Sequence, residues 1–162
     1  MQHSEVAHGN GNAGLQRRDS PWKIVFWHDG IIEGVSLQNS NQAMSYSAKV
    51  LDHFEHPRNV GDLSDADAEA RIEHPVCGDI MTLAVKLSDG RMTEVRYRVR
   101  GCVASIAAGS CLTEMVLGKS VPEAGALKRE QLLQALGGLP HASVHATHLA
   151  MDTLTAVLNK LK

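Results

Sequence analysis

Two runs of alternating apolar and polar residues between positions 81 and 99 form the clearest pattern in this sequence. A period of two is typical of a β-strand with one buried face. Asp89-Gly90 lies between the runs and is a strong hairpin signal, because both turn positions require positive φ. The pattern therefore predicts an antiparallel hairpin. Its apolar positions are Met81, Leu83, Val85 and Leu87 in the first run and Val95, Tyr97 and Val99 in the second.

The opposite face of the second run carries three arginines, Arg96, Arg98 and Arg100. Such a basic stripe could dock an acidic protein. A solvated sheet face is the more ordinary explanation, because antiparallel sheets commonly leave one polar face in water.

The segments after the hairpin have helical periodicity. Gly101-Cys102 opens a helix rich in small residues, which extends to about Leu117 and is closed by Gly118. A last helix begins near His145, and its apolar residues form one stripe. Shorter helices are predicted from Ser45 or Ser47 to Glu55, at Ser120 to Glu123 and from Lys128 to Leu136.

An acidic stretch separates the first short helix from the hairpin. Asp62 to Glu69 holds four carboxylates within eight residues. We interpret it as a solvated loop and not as a cation site, because no rigid scaffold gathers those oxygens.

The first 43 residues differ in composition from the rest of the chain. They are rich in Gly, Asn, Gln, Ser and His, and they contain both tryptophans. Such a segment does not bury enough apolar surface to fold, so residues 1–43 are expected to be a disordered extension and residues 44–162 one domain. Two interpretations stay open: Met44 is the true start of the protein, or the extension is a genuine tail.

The composition limits which classes of partner and which cellular compartment we expect. The 162 residues are 43% hydrophobic, enough for one core, and carry a net charge of −2. That charge gives no reason to expect nucleic acid or an anionic membrane as a partner. No run of about 18 apolar residues exists, so no span of a bilayer is expected. Three cysteines, an odd number, do not suggest a disulfide framework, and a reducing cytoplasm is the expected location.

The candidate chemistry lies at the ends of the hairpin. Cys77 and Asp79 flank Gly78 in a loop before the first run, and Cys102 directly follows the second. A hairpin returns Cys102 to the end of the sheet where Cys77 lies, and His145 can reach that corner from the last helix. Thiolate, imidazole and carboxylate ligands suit zinc or an iron–sulfur cluster. The positive end of the helix dipole is also expected to favour the thiolate of Cys102.

Several longer motifs give the chain a family resemblance. They are Tyr46 to Val50, Asp52 to Phe54, His56 to Gly61, Pro75 to Asp79, Gly101-Cys102, Thr113-Glu114 and Gly118 to Ser120. Over about residues 44–160 it resembles the NifU/IscU family of iron–sulfur cluster assembly scaffolds. The resemblance implies a three-stranded antiparallel sheet with helices packed on one side and a closing C-terminal helix, an α+β fold. It also implies that Cys77 and Cys102 are cluster ligands, that Asp79 tunes cluster lability or supplies an oxygen, and that His145 is the family histidine.

Two positions depart from the family pattern. The family has a third ligand cysteine after the histidine, where this chain has Ala146, so only Cys77 or Cys102 can accept sulfur. The remaining donors suit a two-iron cluster with mixed Cys/His ligands, or a zinc site in which His148 could stand in for Asp79. The family's chaperone-binding pattern Leu-Pro-Pro-Val-Lys is here Leu139 to Ser143, which argues against dependence on a chaperone.

The leading hypothesis is a cytoplasmic scaffold, not an enzyme, that transiently holds a [2Fe–2S] cluster or iron and passes it to recipient apoproteins. Its sulfur would come from a cysteine desulfurase, and the loss of the third thiol predicts a more labile cluster. Two alternatives remain. One is a zinc-bound sulfur acceptor for the desulfurase, and the other is a degenerate relative that only binds a partner.

Overall fold

The computed structural model describes residues 46–162, all within one compact unit. The expected disordered extension, residues 1–43, lies outside the described residues. The strands are β1 (Ala68–Glu73), β2 (Ile80–Ser88) and β3 (Arg91–Arg100). The helices are α1 (Ala48–Glu55), α2 (Val103–Val116), α3 (Val121–Gly125), α4 (Arg129–Ala135) and α5 (His145–Asn159), with a 3₁₀ turn at His141–Ser143.

The hairpin predicted from the alternation is present. β2 and β3 pair antiparallel, with Ile80 opposite Arg100 at one end and Ser88 opposite Arg91 at the other. Asp89 and Gly90 have φ values of 51° and 73°, as a two-residue turn with two positive-φ positions requires. On the polar face, Arg96 pairs with Glu94 and Arg98 pairs with Asp62, so two of the three arginines are engaged within the chain.

The residue pattern did not locate β1, the third strand that the family resemblance implied. β1 pairs antiparallel with β2, which gives the sheet order β1-β2-β3. The alternation in β1 is hard to see because its inward residues Ala68 and Ala70 are small. The interpretation of Asp62 to Glu69 as a solvated loop is wrong at its end, because Ala68 and Glu69 lie in β1. Within that loop, Asp65 pairs with Lys86, and the Asp67 carboxylate accepts a hydrogen bond from the Leu87 amide at 2.6 Å. These carboxylates therefore secure the start of β1 against β2.

The core lies between the sheet and the helices. α2 packs on β3, and α5 packs on β1 and β2. α2 approaches β3 very closely, because a Cβ on Gly109 would overlap the ring of Tyr97. The Tyr97 hydroxyl donates to the Ile106 carbonyl at 3.1 Å, so the buried phenol is satisfied on the same helix. The predicted architecture, a three-stranded antiparallel sheet with a helical layer and a closing C-terminal helix, is confirmed.

A buried histidine attaches α1 to α2. Ser47 caps α1, as the sequence predicts, by accepting from the Val50 amide at 3.1 Å. His53 Nδ1 lies 2.9 Å from Ser110 Oγ, which also accepts from the Arg58 amide at 2.9 Å. Burial, and then the Arg58 charge, lower the pKa of His53. Burial and the neighbouring Arg58 charge therefore favour the neutral imidazole of His53.

Within residues 46–162, no helix is both long and apolar enough to cross a membrane.

Candidate metal centre

The loop between β1 and β2 presents the first thiol. The His74 amide donates to the Asp79 carbonyl at 2.8 Å, and the Gly78 amide donates to the His74 carbonyl at 2.9 Å. Gly78 has φ of 71°, which a residue with a side chain rarely adopts. These bonds hold a tight turn with Cys77 exposed near its tip.

Asp79 is buried and firmly held. Its Oδ2 accepts from Ser105 Oγ at 2.6 Å and from the Cys102 amide at 3.2 Å. Burial alone would raise the pKa of this carboxyl, but the Ser105 and Cys102 hydrogen bonds outweigh it and lower the pKa. Gly101 makes this approach possible, because a Cβ there would lie 2.6 Å from Asp79 Cγ. The carboxylate is thus an anion fixed against the start of α2.

Cys102 occupies the N-cap position of α2 and is half-buried. The expectation that the helix dipole favours its thiolate is wrong for the metal-free protein. Burial raises the pKa of the Cys102 thiol, and the nearby Asp79 carboxylate acts in the same direction. A cationic metal would reverse this balance, since coordination removes the thiol proton.

His145 begins α5 and directs one nitrogen at Cys102. Its Nε2 lies 3.9 Å from Cys102 Sγ and 4.0 Å from Asp79 Oδ2. Its Nδ1 lies 2.9 Å from the Ala142 carbonyl oxygen, which can only accept a hydrogen bond. Nδ1 therefore donates the proton, which leaves the Nε2 lone pair free for a metal.

The predicted donors come together at one end of the sheet. One ligand atom from each of Cys77, Asp79 and His145 lies within 4.8 Å of the others, the one such group among residues 46–162. Cys102 adjoins this group through its contact with His145. Two thiols, an imidazole and a carboxylate are a fitting donor set for zinc or iron in a cluster.

Three further residues, His148, Ala146 and Cys111, do not contribute a ligand atom to this group. His148 Nε2 contacts the guanidinium of Arg129, so this histidine does not stand in for Asp79. Ala146 is fully buried next to His145. Cys111 is 4% exposed, and burial raises its pKa to about 11, which is typical of a buried structural thiol.

Two residues at the site were not recognised from the sequence. Ser105 lies three positions after Cys102, a spacing that places both on one helix face. His74 continues the alternation of Ala70 and Ile72, a signal that could have placed it on the core side of β1. Its Nδ1 lies 3.4 Å from Cys77 Sγ, and its ring centroid lies 5.4 Å from that of His145.

Solved structures resemble this fold. The N-terminal NifU-like protein from Brucella abortus superposes with a TM-score of 0.59 at 21% identity, covering 72% of this chain and 94% of that one. A putative iron–sulfur cluster assembly scaffold protein for the SUF system from Fervidobacterium islandicum gives 0.61 at 20% identity, covering 71% and 97%. At these identities the likeness supports the fold alone.

Sequence relatives are more similar. Iron-sulfur cluster assembly scaffold protein IscU 1 of Archaeoglobus fulgidus is 46% identical over 109 residues, 67% of this chain and 71% of the relative. IscU of Haemophilus influenzae is 42% identical over 123 residues, 74% of this chain and 97% of the relative. IscU of Escherichia coli K12 is 39% identical over the same length, with 74% and 95% coverage. Residues 45–162 match the family described as the NifU-like N terminal domain, and the chain belongs to that family.

Proposed function

We propose that this protein is a scaffold that transiently holds a [2Fe–2S] cluster, or iron, and passes it to recipient apoproteins. The supporting observation is the convergence of Cys77, Asp79, Cys102 and His145 at one end of the sheet. It occurs in a chain whose relatives at 39–46% identity carry the name iron–sulfur cluster assembly scaffold. The proposed scaffold domain is residues 44–162.

Each donor has a separate proposed role. Cys77 and Cys102 anchor the cargo as thiolates, and His145 adds its Nε2. Asp79 supplies a weaker oxygen ligand, because its Oδ2 is already shared by Ser105 and the Cys102 amide. A weak ligand is readily displaced by an incoming thiolate of the recipient, which favours release.

Sulfur has one accessible entry point. Cys77 is exposed, whereas Cys102 is half-buried and its pKa is raised by burial. We therefore assign Cys77 as the acceptor from a cysteine desulfurase. Its thiolate attacks the terminal sulfur of the desulfurase persulfide, so one S–S bond forms on Cys77 while the S–S bond of the desulfurase breaks and its thiolate leaves. Two electrons from an external reductant then release this sulfur as sulfide and return Cys77 to the thiolate that holds the cluster. The scaffold itself catalyses no other bond change, and we do not class it as an enzyme.

Free thiols are also consistent with the proposed location. All three cysteines are unpaired, as a protein of the reducing cytoplasm is expected to keep them. The proposed partners are a desulfurase and apoproteins, with no nucleic acid and no membrane. The sequence of Leu139 to Ser143 argues against dependence on a chaperone.

The function is tested by cluster transfer. The protein is reconstituted anaerobically with iron and sulfide, then mixed with an apo-ferredoxin, and transfer is followed by visible circular dichroism. We expect the ferredoxin spectrum to appear, and to appear more slowly when Asp79→Ala removes the weak ligand. A reconstituted cluster that never moves to the apoprotein contradicts the scaffold role.

A zinc-bound sulfur acceptor is the second candidate, because the same donors suit one tetrahedral zinc ion. Metal analysis of freshly purified protein separates the two. Zinc near one per chain, retained through iron–sulfide treatment, favours the zinc function.

A further inference from the structure

A second histidine faces the thiol of Cys77. His74 Nδ1 lies 3.4 Å from Cys77 Sγ, and the His74 ring is 5.4 Å from the His145 ring, centroid to centroid. The Val76 amide donates to the same Nδ1 at 3.4 Å. Nδ1 is therefore the unprotonated nitrogen of His74. A metal bound at Nδ1 would displace the long bond from the Val76 amide, because this nitrogen has only one lone pair.

The sheet register places His74 on this side of the molecule. Glu73 pairs with Ile80 in the β1–β2 ladder, and the bond from the His74 amide to the Asp79 carbonyl continues that ladder by one position. Residues opposite one another in antiparallel strands share a face. His74 therefore lies on the face that carries the buried Asp79.

The distances match those between two ligands of one metal ion. With metal–sulfur and metal–nitrogen bonds of about 2.3 and 2.1 Å, a tetrahedral metal separates its sulfur and nitrogen ligands by about 3.6 Å. The Cys77–His74 pair is at 3.4 Å and the Cys102–His145 pair is at 3.9 Å. Two thiol–imidazole pairs of suitable spacing thus lie next to each other.

We propose that His74 is a nitrogen ligand of the bound cargo. Cys77 and His74 then form one thiolate–imidazole pair of ligands, and Cys102 and His145 form the other. This inference rests on the proposed function and deepens it. His74 supplies the strong fourth donor that Ala146 does not provide, and the Asp79 oxygen is the weaker donor that exchanges with it at that position. Histidine ligation of a two-iron cluster also raises its potential above that of an all-cysteine cluster.

The first test counts the coordinating nitrogens. Pulsed electron paramagnetic resonance of the reduced, reconstituted cluster resolves strongly coupled ¹⁴N nuclei. We expect two in the unchanged protein, one in His74→Ala, and two in His148→Ala, the matched control whose imidazole contacts Arg129. A single coupled nitrogen in the unchanged protein, with the same spectrum in His74→Ala, overturns the proposal but leaves the scaffold role intact.

The second test does not require a cluster. Co²⁺ is titrated into the metal-free protein, and its visible bands report binding and ligand type. Because even residues that only orient a ligand typically change metal affinity 10- to 100-fold, we expect His74→Ala to weaken Co²⁺ binding by about 100-fold and His148→Ala to leave it unchanged. A difference below about threefold for His74→Ala rejects His74 as a ligand, whether or not a cluster ever forms.

A glutamine variant separates ligation from positioning. The amide of His74→Gln can still accept a hydrogen bond from the Cys77 thiol, but it is a poor metal ligand. We expect His74→Gln to resemble His74→Ala in both tests. Recovery of the original Co²⁺ affinity by glutamine would mean that His74 only orients Cys77, and would overturn the proposal.

Discussion

Replacing Gly101 with alanine is expected to dislodge Asp79 from its position at the start of α2. A Cβ at residue 101 would lie 2.6 Å from Asp79 Cγ and 2.7 Å from its Oδ2, well inside ordinary contact at 3.4–4 Å. Gly101 does not have positive φ, so alanine introduces no backbone strain there. The effect of Gly101→Ala should therefore come from the displaced carboxylate.

The size of the effect follows from the contacts that are lost. The carboxylate must move by about 1 Å, which disrupts the bonds to Oδ2 from Ser105 at 2.6 Å and from the Cys102 amide at 3.2 Å. A hydrogen bond to a charged group contributes about 1.5–3 kcal/mol, and overpacking alone costs about 1–3 kcal/mol. Because both costs arise from one displacement they overlap, and we expect the free energy of unfolding to fall by about 2–4 kcal/mol.

Urea unfolding of the metal-free protein measures this change. Gly125→Ala is the matched control, since a Cβ there meets only Leu158, at 3.7 Å. It should leave stability unchanged or raise it by up to about 1 kcal/mol, because alanine has less conformational freedom than glycine in the unfolded chain. A double-mutant cycle with Asp79→Ala isolates the clash with the carboxylate. Once Asp79 is truncated, only the approach to its Cβ, at 2.9 Å, remains, so Gly101→Ala should lose the part of its cost that comes from the carboxylate, giving a coupling of at least about 1 kcal/mol.

Two results would refute this reasoning. One is a loss below about 0.5 kcal/mol for Gly101→Ala, because the site would then be soft enough to accept a methyl group. The other is additivity with Asp79→Ala, because the cost would then arise from a different contact.

Three further predictions concern other parts of the chain. Ala146→Cys restores a third thiolate beside His145 and should lengthen the half-life of the reconstituted cluster in air severalfold; an unchanged half-life, read from visible absorption, contradicts this. Iodoacetamide should alkylate the exposed Cys77 first and should reach Cys111, with its pKa of about 11, only on unfolding; equal labelling in peptide mass mapping contradicts the burial. Because the folded-state pKa of His53 is lowered from its ordinary 6.5, its contribution to stability is present above that pH and is lost as pH falls below it. The unfolding free energy should therefore fall less between pH 7.0 and 5.5 in His53→Gln than in the unchanged protein. Urea titrations that show the same fall in both proteins would contradict this prediction.

The strongest local patterns predicted their elements well. The hairpin, its Asp89-Gly90 turn and α2 with its closing Gly118 were all visible, since alternation, turn chemistry and caps are encoded within a few residues. β1 was not visible, because its inward residues are alanines and its neighbours are acidic. A strand of that kind becomes evident only from its pairing with β2.

The proximity of the candidate donors was predictable from the sequence, but their electrostatic environment was not. The hairpin return correctly predicted that Cys102 would lie near the Cys77 loop. The direction of the Cys102 pKa shift was wrong, because burial and a neighbouring carboxylate depend on tertiary packing that a helix-dipole argument omits. His74 and Ser105 were not predicted, although their local spacing indicates where they lie. His74 continues the alternation of β1, and Ser105 lies three residues after Cys102 on the same helix face.

Cys77 and Cys102 are proposed to hold the same cluster. Anaerobic iron–sulfide reconstitution followed by visible absorption tests this, with Cys77→Ala and Cys102→Ala compared against Cys111→Ala. We predict about two irons and two sulfides per site in the unchanged protein and in Cys111→Ala, and loss of the cluster bands in each of the other two variants. Full absorption in either Cys77→Ala or Cys102→Ala would contradict a shared site.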